Sequence, residues 1–329
     1  MPAAISVIIP VYNVETYVAE CLESVLSQSF ADIEVICVND CGQDSSMSIV
    51  EGFAARDRRV SIVRHPQNKG LAPARNSGMD AATGRYFLFL DSDDCLPEHA
   101  LRNLYEAMQK GDADIVVGHF HAFPDKNEPD LVKASEHLNR RFAAFTARDI
   151  PVTLENFQKE LKTVYGVVWG MLYSANFLRK HDIRFPDRHL YHEDMCFFLK
   201  CYSAFPTFRC INAPVALYRM RANSITNSKS RRIAIKRKRD LRVCLQEAFA
   251  YIMRQYGEEK GRHIVELIKG HPSYRRLLEK SYLGGLFVKK WIGTDRVFRL
   301  CGVSVYRELY NEDNTVEQRI FGLPFRRIG

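Results

Sequence analysis

Residues 86–96 read YFLFLDSDDCL, and the fold follows from how that stretch is understood. Tyr86, Phe87, Leu88, Phe89 and Leu90 form an unbroken apolar run, the pattern of a strand buried on both faces. The run gives way without transition to Asp91, Ser92, Asp93 and Asp94, so the acids stand at the strand's carboxyl end. Crowded carboxylates repel one another and resist desolvation, and at the mouth of a core strand they call for a cation. A hard, oxygen-seeking ion, Mn2+ or Mg2+, meets that need and commonly brings substrate phosphates with it. Asp and Ser are also ordinary turn and cap residues, and these four alone are equally consistent with a turn that opens a helix at Pro97 and Glu98.

Working outward, Ile5, Ser6, Val7, Ile8 and Ile9 predict a central strand ending at Pro10, and residues 33–38 and 60–63 predict two more. Apolar residues at helical spacing lie between them, at 14–26, 47–53 and 71–82, and again at 97–110 ahead of a strand at 114–117. Strands alternating with helices at these spacings imply an α/β fold, a Rossmann-like, mostly parallel sheet with helices on both faces. Ligands of such sheets bind outside the carboxyl ends of the strands. The loops after Ile9, Val38, Val63 and Leu90 therefore share one rim, and they share a chemistry. Tyr12 and Asn13 offer a ring and an amide. Asn39, Asp40 and Asp44 offer acceptors, and Asn68, Lys69, Gly70, Arg75 and Asn76 offer donors and a cation. A planar base, a ribose diol and a diphosphate need those groups in about that order.

The stretches SVIIPVYN, VICVNDCGQD, NKGLAPARNSG and FLFLDSDD, in this order and spacing, resemble the nucleotide-sugar-binding half of glycosyltransferase family 2, whose fold is GT-A. Downstream, Trp169-Gly170-Met171-Leu172-Tyr173 and the Glu193-Asp194 segment resemble that family's acceptor side. The resemblance implies a catalytic domain over 1–226, with the nucleotide-sugar half at 1–118 and the acceptor half at 119–226. A basic helical region would fill 227–329. Position by position, it implies that Pro10, Tyr12 and Asn13 line the base pocket and that Asp40 hydrogen-bonds uracil, with Asp44 in the same segment. Asn68, Gly70 and Arg75 would support the nucleotide and the loop after the fourth strand, Lys69 being solvated. Asp91 and Ser92 would approach the ribose, Asp93 and Asp91 would hold the metal, and Asp94 would neighbour the donor sugar. Trp169 would be an acceptor platform, with a core tryptophan as the alternative. Arg221 would near the diphosphate, which a guanidinium can bind although it cannot ligate a metal. Cys41 departs from the Ser or Gly of many members, a change between small side chains.

The chemistry that follows is inverting transfer from a UDP-sugar to a hydroxyl of a glycan or lipid-linked acceptor, in surface polysaccharide or oligosaccharide biosynthesis. A diphosphate leaves readily once a divalent cation neutralises it, and one carboxylate must take the acceptor proton. The resemblance assigns that role to Asp194, with Glu193 orienting the acceptor or Asp194 itself; a helix start is the plainer reading of the same pair. Two other classes share these features: a catalytically silent glycan- or membrane-binding protein of the same fold, and a sugar nucleotidyltransferase. The retained Asp91, Asp93 and Asp194 argue against the first. The second usually carries a glycine-rich loop after its first strand, which Pro10-Val11-Tyr12-Asn13 is not.

At 329 residues, 46% hydrophobic and 26% charged, the chain has the composition of a globular protein longer than one average domain. No apolar run reaches the roughly 18 residues of a membrane span, and Met1-Pro2-Ala3-Ala4 does not open a secretion signal. The expectation is a cytoplasmic chain, peripheral on the inner face of the membrane. Nine scattered cysteines without a CxxC pair read as reduced, mostly buried thiols. The net charge of +8 gathers beyond residue 228. Residues 229–242 would attract anionic lipid headgroups, and 282–291 would form an interfacial helix. A solvated face, or packing against the catalytic domain or a second subunit in a homo-oligomer, explains the same residues. Nucleic acid is excluded as a partner for want of a binding motif. Residues 120–151, polar and poorly periodic, read as an acceptor-side insertion or flap.

Overall fold

The computed structural model describes residues 2–126, 128–142, 148–161, 167–221, 231–271, 279–282, 287–292, 295–300, 303–310, 316–320 and 323–328. The chain divides into two compact units, one of Met1–Thr153, Gly166–His189 and Glu193–Asn227, the other of Leu154–Tyr165, Leu190–His192 and Ser228–Gly329.

In the first unit, β1 (Ile5–Val11), β2 (Ile33–Asn39), β3 (Val60–Arg64) and β4 (Tyr86–Phe89) are parallel and lie in the order β3-β2-β1-β4. Helices α1 (Val18–Leu26), α2 (Ser46–Arg56) and α3 (Leu71–Ala81) connect them, and α4 (Ala100–Gln109) follows β4. The packing of β1 shows why such a strand is apolar throughout. Ile5, Val7, Ile9 and Val11 join one cluster with Val18, Leu22 and Val25 of α1 and Leu101 and Leu104 of α4. Ile8 faces α3 instead, so closely that a methyl group at Gly78 would lie 2.3 Å from its Cγ2. Alternate side chains point to opposite faces, and a helix covers each.

Past β4 the sheet becomes mixed. β5 (Ile115–Pro124) and β7 (Met171–Ser174) are antiparallel neighbours, and β7 is antiparallel to β4 as well. β8 (Thr207–Met220) runs parallel to β5, and β6 (Arg148–Pro151) closes the far edge. The full order is β3-β2-β1-β4-β7-β5-β8-β6. Helices α7 (Ala175–Lys180) and α8 (Glu193–Ser203) complete the acceptor-side half of this sheet. The mostly parallel, helix-flanked architecture expected from the sequence is present.

Two expectations are corrected. Residues 120–151 are not simply a polar insertion: β5 continues to Pro124, α5 spans Pro129–Phe142, and β6 pairs with β8. The apolar signal is faint because the cluster is small, with Leu131 packing on Ala122 and Met220. A side chain does the rest. The Asn139 amide accepts from Ala122 N–H at 2.7 Å and donates to Ala122 C=O at 2.8 Å, satisfying the edge of β5 beyond Val117, where pairing with β7 ends.

The second correction concerns the tail. The second unit contains α6 (Phe157–Glu160) and α9 (Arg231–Gly270), the latter broken at Gly257, whose φ is 72°. The helical expectation holds for α9. Residues 279–328, by contrast, form a six-stranded antiparallel sheet, and the interfacial helix expected at 282–291 is replaced by β9 (Glu279–Tyr282) and β10 (Phe287–Ile292). β11 (Asp295–Leu300), β12 (Val303–Tyr310), β13 (Val316–Ile320) and β14 (Leu323–Ile328) follow as successive hairpins. The sequence marks this with Gly293, Gly302 and Gly322, punctuation at hairpin rather than helical spacing. Lys229, Leu283, Leu286 and residues 222–226 lie outside the described residues.

Within α9, Asp240 is fully buried, paired with Lys236 at 2.8 Å and Arg239 at 3.1 Å, and accepts from Tyr191 N–H. It ties α9 to Tyr191 and pairs with two of the helix's own cations rather than merely opposing them. Among the described residues no helix is long and apolar enough to cross a membrane. Every described cysteine is a free thiol, and all but Cys41 are buried.

Replacing Asn139 by Leu leaves the Ala122 N–H and C=O unpaired in a buried place. We expect a loss of about 1–3 kcal/mol of stability in urea denaturation, with little change in the parallel half of the sheet by hydrogen exchange.

Candidate active site

The carboxyl ends of β1 to β4 form one rim, and side chains fasten its loops together. Past β1, Asn13 adopts a left-handed backbone (φ 52°) and its Oδ1 accepts from Gln43 N–H at 2.8 Å. Asp44 accepts from Glu15 N–H at 2.9 Å and from Ser46 N–H at 3.1 Å, Ser46 Oγ accepts from Val14 N–H, and Glu15 accepts from Ser45 N–H. Two loops are thus zipped into a single ledge. Asn13 and Asp44 build it, while Tyr12, 47% exposed, stands on it as the available ring. Pro10 is buried inside β1 opposite Val38, so the strand does not end there as its type suggested.

Asp40 has another task than the one implied for it. Its carboxylate is buried, Oδ1 accepts from Lys69 N–H and lies 2.8 Å from His65 Nδ1, and Oδ2 accepts from Gly70 N–H. His65 continues through Nε2 to Ser77 Oγ at 2.8 Å. Asp40 therefore holds the loop before α3 from behind the rim. Gly70 is required there: its φ is 96°, and a Cβ would lie 2.4 Å from His189 Nδ1. Asn68 and Lys69 are exposed on this loop.

The centre of the site is Arg75, on the first turns of α3 and 1% exposed. Its Nη2 donates to Asp91 Oδ1 at 2.7 Å, and its Nη1 donates to Asp194 Oδ1 at 2.7 Å and Glu193 Oε1 at 3.1 Å. The guanidinium also lies over the Phe185 ring, 5.3 Å from its centroid. Acids 102 or more positions apart in sequence, at the end of β4 and the start of α8, meet on one cation. The neighbouring Asn76 fastens the approach to α8, donating to Phe185 C=O and Asp187 and accepting from Phe185 N–H.

One positive charge does not neutralise three carboxylates, of which Glu193 is buried and Asp91 and Asp194 are half-buried, and the imbalance bears on their protonation. Burial, then the charge of Asp194, pushes Glu193 up to about 8. Burial also raises Asp194, opposed by Arg75 and by a hydrogen bond from Glu193. Glu193 is thus the member of the pair that holds its proton at neutral pH, while the charge of Arg75 and the hydrogen bond from Glu193 both favour the ionised form of Asp194.

The acidic loop after β4 is held from β8. Arg219 donates Nε–H to Asp93 C=O at 2.9 Å, its N–H to Asp94 Oδ1 at 2.8 Å and Nη2–H to Glu20 at 2.6 Å. Arg221 reaches Asp93 itself, Nη2 to Oδ2 at 2.5 Å. Asp94 and Ser92 are buried. Burial, followed by the charge of Asp91, raises Asp93, and burial with Asp93 and Asp91 raises Asp94 well above the usual carboxylate range. Tyr218, pushed up to about 12 by burial and then by these three acids, borders the cluster. Trp169 stacks on it, with centroids 5.2 Å apart and 5° between planes, and meets Phe120 edge-on at 4.8 Å. The half-buried Trp169 is therefore part of an aromatic wall beside the acids.

Among the described residues no three His, Cys, Asp or Glu side chains are grouped to hold a metal ion. Asp91 and Asp93 still fit a cation of the Mg2+ or Mn2+ kind, which takes one or two protein carboxylates and completes its shell with phosphate and water. The raised Asp93, beside a second carboxylate, is the excess negative charge such an ion relieves.

The sequence reading gives Arg75 a supporting part at the nucleotide and at the loop after the fourth strand, and the structure joins it to Asp91 of that loop; its link to Glu193 and Asp194, and the parts of Arg219, Tyr17 and His65, are not read from the sequence. The alternation Tyr218-Arg219-Met220-Arg221 was a readable signal, since it puts two arginines on one side of a strand. Nothing local marks Arg75 as buried.

The chain matches the family described as Glycosyl transferase family 2 over residues 6–182. It is 31% identical over 226 residues to the uncharacterized glycosyltransferase EpsJ of Bacillus subtilis, covering 68% of this chain and 62% of EpsJ. It is 29% identical over 201 residues to a poly(ribitol-phosphate) beta-glucosyltransferase of Bacillus spizizenii, covering 60% of this chain and 29% of that protein. The chain thus spans less than two thirds of the length of either curated relative. The crystal structure of S. aureus TarS 1-349 in complex with UDP-GlcNAc superposes with a TM-score of 0.64 at 22% identity, over 83% of this chain and 73% of that one. That likeness is one of fold.

Changing Arg75 to Met leaves its carboxylates buried and uncompensated, at an expected cost of about 3–5 kcal/mol. Loss of the cation raises the folded-state pKa values of Glu193 and Asp194 further. The deficit should then be largest at alkaline pH and shrink as pH falls below about 8, which melting curves at several pH values will read.

Proposed function

The chain belongs to glycosyl transferase family 2 and has the GT-A fold, and on that premise we propose that it moves a sugar from a UDP-sugar to an acceptor hydroxyl with inversion at the sugar. The acceptor is a glycan or lipid-linked saccharide, and the setting is surface polysaccharide synthesis. The observation that carries this reading is the single buried guanidinium of Arg75, which holds Asp91 of the donor side and Asp194 of the acceptor side at 2.7 Å each.

In this reading Tyr12 flanks the base, the exposed Asn68 loop lies along the nucleotide, and Asp91 and Asp93 hold the cation. A divalent ion there, Mn2+ or Mg2+, supplies neutralisation of the charge that develops on the leaving diphosphate. Asp194, its Oδ1 held by Arg75, takes the acceptor proton on Oδ2 as the hydroxyl attacks. Glu193 keeps Asp194 oriented by donating to it, and the Trp169–Tyr218 wall gives the acceptor sugar a face to lie against. The resemblance in fold to TarS, seen with UDP-GlcNAc, and the activity named for the Bacillus spizizenii relative support donor and setting. In the second unit, the exposed Arg232 and Lys238 of α9 support attraction to an anionic membrane surface.

Release of UDP from a panel of UDP-sugars with Mn2+ tests the class and identifies the sugar. Asp93→Ala is expected to lose metal-dependent donor binding, whereas Asp194→Asn keeps donor binding and loses transfer by about 100-fold or more. Near wild-type transfer by Asp194→Asn would remove it as the base.

The pH profile gives a separate check. As pH rises past about 8, Glu193 loses the proton it donates to Asp194 and a second negative charge enters the pair. Transfer should change near that pH in the wild type. Glu193→Gln retains a donor without titrating, so its profile should lack that feature while its rate near pH 7 stays within a few-fold.

A further inference from the structure

We propose that Arg221 is a built-in counter-ion that covers Asp93 until a nucleotide diphosphate draws it away, so that cation and donor enter this site together and either alone binds weakly. The inference rests on the donor-site reading above and concerns what occupies that site beforehand.

The two arginines at the end of β8 differ in a way that assigns their tasks. Arg219, its side chain 9% exposed, is tied to Asp93 C=O, Asp94, Glu20 and, at 3.7 Å, Asp125, and lies 4.6 Å from the Phe123 centroid. It is a fixed part of the loop. Arg221 follows two residues later, just past the last strand residue, so it emerges on the same side. Its side chain is 29% exposed, and its partner Asp93 is 19% exposed. Both guanidinium groups lie over the Tyr17 ring, Arg219 at 5.2 Å and Arg221 at 5.1 Å. Tyr17 is itself anchored through its hydroxyl, which donates to Asp125 at 2.9 Å. Arg221 thus combines a partly exposed ion pair with an anchored aromatic ring beneath its planar head.

Charge decides the consequence. Asp91 is already paired with Arg75 and Asp93 with Arg221. A dication arriving alone meets a carboxylate that is already compensated and a guanidinium at contact distance. A diphosphate arriving alone meets Asp91, Asp93 and Asp94. When the two arrive as a complex, the guanidinium exchanges one carboxylate oxygen for two phosphate oxygens, a bidentate match that suits its fork. Asp93 is then bare for the cation. Linkage makes the effect reciprocal, so the diphosphate raises metal affinity by the same factor as the metal raises diphosphate affinity.

The experiment is titration of Mn2+ into the full chain, with and without UDP, followed by calorimetry or by the electron paramagnetic signal of free Mn2+. Four proteins are compared: wild type, Arg221→Gln, Arg221→Lys and Asp93→Asn, each checked for an unchanged melting transition. We expect Arg221→Gln to bind Mn2+ alone about tenfold or more tighter than wild type, and to lose most of the mutual enhancement between UDP and Mn2+. Arg221→Lys keeps the charge and should retain weak binding of Mn2+ alone. If Arg221→Gln binds Mn2+ alone no better than wild type while UDP and Mn2+ still enhance each other, the counter-ion role is wrong and the donor site stands. If wild type binds neither Mn2+ nor UDP, and Asp93→Asn changes nothing, the donor-site reading fails and the counter-ion role with it.

Discussion

A guanidinium with 1% of its surface exposed decides where the reactive carboxylates of this protein stand. Burying Arg75 costs several kcal/mol in lost hydration, and only well-placed anions offset it. Asp91 and Asp194 do so at 2.7 Å each, with Glu193 at 3.1 Å. Since the three acids come from the loop after β4 and from the start of α8, their common cation ties these two parts of the first unit together. Phe185 under the guanidinium and Asn76 beside it keep that placement from relaxing.

The remainder of the site repeats this logic at lower cost. Each loop of the rim is held by a side chain of a neighbouring segment: Asp40 holds the turn before α3, Asp44 holds Glu15 N–H while Glu15 holds Ser45 N–H, and Arg219 holds the acidic loop. Residues of the nucleotide motifs thus divide into those that build the ledge and those that stand on it. Tyr12, Asn68, Asp91 and Asp93 are the ones left facing the rim. A ledge made of charge-assisted hydrogen bonds is rigid before any ligand arrives, so little ordering remains to be done on binding. Arg221 is the exception, an ion pair near the solvent at Asp93.

Legibility followed local signal. The apolar runs at 5–9, 33–38 and 86–90 predicted their strands because a strand buried on both faces is dominated by apolar residues, the exceptions Ser6 and Glu34 being hydrogen-bonded to each other. Residues 120–151 were misread because their core is three residues deep and a single amide, Asn139, does the work of a neighbouring strand. The tail was misread for the opposite reason. Its basic residues and aromatic positions drew attention to amphipathic helices, while glycines at hairpin spacing went uncounted.

By itself the sequence determined the order of strands and helices through residue 117, the rim on which the functional loops gather, and the residue types that a nucleotide and a cation require. Those are properties of period, turn chemistry and residue identity, which act over a few positions. Tertiary structure alone decided that Asp40 faces inward, that Asp194 shares a cation with Asp91, that Glu193 is raised to about 8, and that Arg221 covers Asp93. Each of these depends on which charges end up within a few ångströms of one another after burial. Coulomb energy and desolvation are set by that distance and depth, and neither is written in the spacing along the chain.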